Sequence, residues 1–142
     1  MTVRTARCHC GALEVACSGE PRKISLCHCL DCQRRSGAPF SVAAFYARDH
    51  VRVVRGEASL YERGSASGHP VRFHFCGRCG SNVWWEPQRM PDLVGVAVGA
   101  FADPEFPPPQ QAVFARDRHV WVELPEDVPE FPASPPPRPS NS

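Results

Sequence analysis

The chain has 142 residues, 42% of them hydrophobic and 22% charged, which suits one domain of ordinary size with its own core. Arginine carries nearly all the positive charge, Lys23 being the single lysine, and acids balance it to a net +1, which excludes the strong field of a nucleic-acid binder. No apolar run precedes Cys8 and none later approaches the ~20 residues of a membrane span, so a soluble cytoplasmic protein is expected, away from membranes, with its eight cysteines reduced and available to metal rather than paired in disulfides.

In chain order, Ala12 to Cys17 alternates as a strand and Arg22 to Leu26 repeats the pattern after a turn at Gly19-Glu20-Pro21. Gln33 to Ser36 fits one short helical turn that Gly37 and Pro39 end, and Phe40 to Tyr46 resumes strand character. Strands follow at Val51 to Val54, Leu60 to Arg63, Val71 to Phe75, Ser81 to Glu86 and Leu93 to Val98. Asp103 to Pro109 breaks the pattern, and Ala112 to Ala115 and His119 to Leu124 are candidate edge strands. Short strands at this spacing predict a mainly β fold of folded antiparallel sheets with little helix. The prolines at 125, 129, 132, 135, 136, 137 and 139 place the end of the domain near Phe131, with 132–142 an extended or disordered tail.

The cysteines carry the chemistry. Phe75-Cys76-Gly77-Arg78-Cys79-Gly80 is a metal knuckle, two thiolates two residues apart with glycines relieving the tight backbone. In an extended Cys8-His9-Cys10 both sulfurs share a face while His9 points away, so Cys8, Cys10, Cys76 and Cys79 together complete a closed structural zinc site. Cys27, Cys29 and Cys32 then remain as a second group one ligand short. Its fourth position is either open to water or substrate or filled by His28, Asp31 or Cys17, and the leading reading is that it is open. A partition that puts Cys27 and Cys29 with the knuckle is less economical, because it separates ligands that are already neighbours. Two zinc ions are therefore expected, the second at a site suited to thiol chemistry, since a soft sulfur bound there loses its proton yet remains nucleophilic.

These motifs, Cys8-His9-Cys10-Gly11, the run from Cys27 to Gly37, Phe75 to Ser81 and Gly99 to Pro104, resemble those of the glutathione-dependent formaldehyde-activating enzyme family, which includes the centromere protein V type of domain. The resemblance extends to about Phe131. It implies a zinc-bearing folded β-sheet, often called a β-tent, with structural ligands at Cys8, Cys10, Cys76 and Cys79 and a second zinc at Cys27, Cys29 and Cys32. It further implies a carbon–sulfur lyase reaction, the reversible joining of glutathione and formaldehyde to S-(hydroxymethyl)glutathione.

Arg34 and Arg35 follow the three-thiol group and are candidates to bind the carboxylates of a peptide thiol, with Phe40, Trp84 and Trp85 as candidate pocket walls. Trp84 and Trp85 are adjacent on a strand and must face opposite ways, so one belongs to the core. His74 is read as packing or as support for a neighbouring ligand, and His50, His69 and His119 as surface residues. The rival function is a zinc-stabilised protein-binding module that uses its sheet edge or its proline tail.

Overall fold

Ten strands, one short α-helix and three single-turn 3-10 helices make up the computed structural model, which describes residues 1–64 and 68–135. The strands are β1 (Val3–Arg7), β2 (Glu14–Ser18), β3 (Lys23–Cys27), β4 (Ser41–Ala47), β5 (Val51–Arg55), β6 (Ser59–Arg63), β7 (Val71–Phe75), β8 (Asn82–Pro87), β9 (Leu93–Ala97) and β10 (Gln111–Val113), and the helix α1 spans Leu30–Ser36. They form a three-stranded antiparallel sheet in the order β1-β2-β5 and a seven-stranded sheet in the order β10-β3-β4-β9-β8-β7-β6. The fold is mainly β, as expected, with one departure from antiparallel pairing: β10 runs parallel to β3.

Period-two alternation divides the side chains of the larger sheet between two environments. Ile24 on β3, Ala44 and Tyr46 on β4, and Val94 and Val96 on β9 face the smaller sheet and pack with its Ala6, Val15 and Cys17. Residues one step along, among them Ala43, Phe45 and Trp85, form a second cluster on the opposite face. Trp84 joins the first cluster and Trp85 the second, so the pair divides as the strand pattern requires.

Several local expectations change. Cys8 to Cys10 is not extended: β1 pairs with β2 as a hairpin, Arg7 opposite Glu14, and the cysteines lie in its loop, folded back by the Gly11 N–H to the Cys8 carbonyl at 3.1 Å with Gly11 at φ +82°. The two sulfurs converge through this turn rather than through a shared strand face. The helical turn starts earlier than Gln33, because Cys29 caps it by accepting from the Cys32 N–H at 3.3 Å, and Gly37 closes it at φ +69°. His119 to Leu124 forms a turn at Val120 and Trp121 in place of a strand. Pro129 and Phe131, at the end of the expected domain, hydrogen-bond along β10, and of the expected extended tail Ala133 continues this pairing, its carbonyl accepting from the Phe114 N–H while it packs with Phe131 against Val113 and Phe114. The rest of the expected tail, 136–142, lies outside the described residues.

Candidate metal centre and thiol site

The four sulfurs of Cys8, Cys10, Cys76 and Cys79 lie within 4.8 Å of one another. Cys8 to Cys10 and Cys10 to Cys76 are each 3.7 Å, far beyond a disulfide bond of about 2.05 Å. A tetrahedral zinc with bonds of about 2.3 Å sets its sulfurs ~3.8 Å apart, so the donor set fits such an ion. Backbone and hydroxyl donors prepare the sulfurs for negative charge. Burial is the largest influence on Cys8 and opposes its ionisation, but the Leu13 N–H, 3.2 Å from Sγ, together with the Cys76 and Cys10 sulfurs draws that thiol down from its ordinary range. The Ser81 hydroxyl, 3.3 Å from Cys79 Sγ, is the main reason that thiol falls to about 5. Ser81 also accepts from the His9 N–H at 3.0 Å, tying the hairpin loop to the knuckle.

The second group, Cys27, Cys29 and Cys32, has its three sulfurs equally close. β3 ends on Cys27, the chain turns through His28, and α1 brings Cys32 back. Hydrogen bonds from the Cys27 and Cys32 sulfurs hold the Cys29 thiol down at about 2, while the same sharing pushes Cys27 up. A buried thiolate held among thiols in this way is a ready cation site. None of the candidate fourth ligands joins it among the described residues. Cys17 is buried between the sheets, where burial raises its thiol to about 12. Asp31 turns to Arg63, 3.4 Å away. His28 is fully buried against Phe40, with neither ring nitrogen hydrogen-bonded.

All three sulfur-bearing residues line a cavity of about 650 Å³ on the face of the large sheet opposite the main core. Arg34 and Arg35 line it too. Arg35 is fixed there: its guanidinium lies 4.4 Å over the Trp85 ring and 5.1 Å over Phe73, with Nη2 donating to Ser41 Oγ at 2.7 Å. Arg34 is exposed at the rim. Of the three aromatic residues proposed as walls, Trp85 serves, Trp84 is core, and Phe40 borders a separate, smaller cleft. His74 stacks on Trp84 at 4.5 Å and pairs with Glu86, a packing role. His119 is not a bare surface group, because its Nε2 meets Gln33 Oε1 at 2.8 Å. Gln33 in turn donates to the carbonyls of His28 and Asp117, so it clamps the turn that carries the thiols.

The sequence reading missed Asn82. A register shift between His74 and Phe75 bulges β8 so that Asn82 pairs with Phe75 while Trp84 pairs with His74. Asn82 and Trp85 therefore both face the cavity, although three residues apart they would diverge on a regular strand. The Asn82 Oδ1 is buried with no hydrogen-bond partner. The neighbouring Asn82-Val83-Trp84 run carries no sign of this bulge in its residue types.

The family model for "Glutathione-dependent formaldehyde-activating enzyme" matches residues 3–118. The chain belongs to that family. A Halomonas elongata protein described as "Putative glutathione-dependent formaldehyde-activating enzyme" is 30% identical over 124 residues, covering 82% of this chain and 78% of that one. Among solved structures, the crystal structure of a Rhodobacter sphaeroides protein matches with a TM-score of 0.57 and 28% identity over 73% of this chain and 91% of its own. The family match takes in both cysteine groups and the whole of α1.

Proposed function

We propose that this protein is a carbon–sulfur lyase that joins a small thiol to an aldehyde, with glutathione and formaldehyde giving S-(hydroxymethyl)glutathione, and that it works in the reducing cytoplasm. The observation that carries this reading is the placement of Cys27, Cys29 and Cys32 on the wall of a cavity lined by Arg34 and Arg35. Zinc held by these three sulfurs would supply a position at which a fourth, substrate sulfur stays deprotonated. A zinc at Cys8, Cys10, Cys76 and Cys79 would have all four ligands from the chain and serve the fold.

The chain's own residues then position and shield. Arg35, held flat by Trp85 and by Ser41, offers its outer N–H groups to a substrate carboxylate, and Arg34 offers a second cation at the rim. The thiol gives up its proton, its sulfur forms a bond to the carbonyl carbon, the carbonyl π pair moves to oxygen, and that oxygen takes up a proton in place of the one the thiol lost. Holding thiol and aldehyde together supplies most of the acceleration.

The test is exchange between glutathione and labelled formaldehyde, followed by NMR with the zinc-loaded protein. Wild type is expected to accelerate exchange, and Cys29→Ser to return it to the uncatalysed rate with the fold retained. Equal rates for the two proteins would remove the enzymatic reading. The non-catalytic module would instead require the second ion to take a fourth ligand from the protein, and His28, Asp31 and Cys17 are all engaged elsewhere or outside the group.

A further inference from the structure

The sulfur group occupies only one end of its cavity. The register of the large sheet sets Val113, Cys27 and Ser41 side by side in one row. Four residues back along β3, a second row runs Lys23, Phe45, Gly95, Trp85, Phe73 and Tyr61, each directly opposite the next on five neighbouring strand pairs. Directly opposed residues share a face, so this whole row lies under the cavity, about 13 Å from the sulfur row at the rise of a strand. Four of its six members are aromatic; Arg35 covers Trp85 and Phe73 and Lys23 covers Phe45, which leaves Tyr61, 52% exposed, as the open end of the row.

Gly95 is the position that makes the row a floor. A Cβ there would come within 2.6 Å of Trp85 Nε1, 2.8 Å of Trp85 Cε2 and 3.1 Å of Phe45 Cε1. Only glycine lets the indole lie down across β9 against Phe45. Tyr61 continues the surface by stacking on Phe73, centroids 6.3 Å apart at 21°. Formaldehyde, with two heavy atoms, fills no more than about two water volumes, ~60 Å³, of a cavity of about 650 Å³. The arms of glutathione end in charged groups, which gain little from an aromatic floor and are better met by the arginines.

We infer that the Tyr61 end of this row, stacked on Phe73 and bordered by the flat Arg35 guanidinium on Trp85, is a subsite for an apolar substituent on the electrophile, so that the aldehyde class extends to long-chain or aromatic aldehydes. The inference rests on the thiol–aldehyde reading above and adds the second substrate's chemistry. The reaction balances as before: the thiol sulfur bonds to the aldehyde carbon, the carbonyl oxygen takes the proton, and the R group of RS–CH(OH)–R lies on the aromatic row with nothing oxidised or reduced.

The thioethers S-methylglutathione and S-hexylglutathione are stable mimics of the short and long adducts. Their binding to the zinc-loaded protein is read by tryptophan fluorescence and calorimetry. Each fully buried methylene multiplies affinity roughly fourfold, so burying half of the five extra ones predicts roughly 30-fold tighter binding of the hexyl compound. Gly95→Ala, which forces the indole up into the cavity, and Tyr61→Ser, at a half-exposed position that leaves the core intact, are each expected to cut that preference at least threefold. Equal affinity of wild type for both compounds overturns the subsite while leaving the thiol site standing. Binding of neither compound overturns both. A preference that survives unchanged in a folded Tyr61→Ser and a folded Gly95→Ala protein also overturns it, since the hexyl group would then lie elsewhere.

Discussion

Cys10→Ser and Cys29→Ser make a paired test of the division between a stabilising and a reactive thiol group. Cys10 is exposed, so its replacement removes a candidate metal ligand and almost no packing. Cys10 and Cys76 are 66 residues apart, and a cross-link that closes a loop of this length removes about 4 kcal/mol of chain entropy from the unfolded state. The Cys27-to-Cys32 loop is so short that the same relation gives about 2 kcal/mol. For a domain of this size about 4 kcal/mol is a large part of total stability and corresponds to a fall in Tm of roughly 12 °C. The assay is thermal unfolding by circular dichroism on zinc-loaded protein, with zinc content measured in parallel. Cys10→Ser is expected to lose about one zinc per chain and to melt far lower than wild type, whereas Cys29→Ser loses half as much stability or less. A Cys10→Ser protein that melts within about 3 °C of wild type, or a Cys29→Ser protein that is the less stable of the two, would refute the assignment.

Three further outcomes are expected. Gly56 sits at φ +78° with the Ala12 carbonyl oxygen 2.1 Å from where a Cβ would be, so Gly56→Ala costs about 2–4 kcal/mol in urea unfolding, because backbone rather than a yielding side chain stands in the way. Glu86 is partly buried, which opposes its ionisation, but Arg48 and His74 prevail and hold its carboxyl below the usual range. Its contribution to stability is therefore complete above the ordinary carboxylate pKa of about 4.3 and lost as pH falls through the lower folded value, so Glu86→Gln flattens the acid limb of a stability profile taken from pH 6 to pH 3. Arg35→Lys keeps the charge but loses the planar stack on Trp85, and calorimetry should show glutathione bound roughly 10-fold more weakly, with the melting temperature little changed.

The strands were largely legible because alternation is local: Ile24 and Leu26, or Phe73 and Phe75, announce a buried or lining face without reference to anything distant. The cysteine partition was legible too, since two short motifs and a leftover triplet allow few economical groupings. β1 was not, because Val3 to Arg7 is largely polar and becomes a strand only by pairing with β2. His119 to Leu124 alternates as a strand should, yet Gln33 holds His119, and among the described residues no strand pairs with this segment. The aromatic row is the clearest case of hidden information. Phe45, Trp85, Phe73 and Tyr61 come from four strands, and only the register of the assembled sheet sets them abreast. Asn82 needed a bulge that residue types do not encode.

The spans of the two sulfur groups have a consequence for synthesis. Cys27, Cys29 and Cys32 are all made before the knuckle at Cys76 and Cys79 exists. At translation rates of about 5–20 residues per second, the nascent chain spends a few seconds with a complete three-thiol group and half of the four-thiol one. During that interval Cys8 and Cys10 would be available as extra ligands to any ion at the triplet, until β7 and the knuckle supply Cys76 and Cys79 as their partners. A cell short of zinc would prolong that choice, and misloaded chains would be expected to accumulate among newly made protein first.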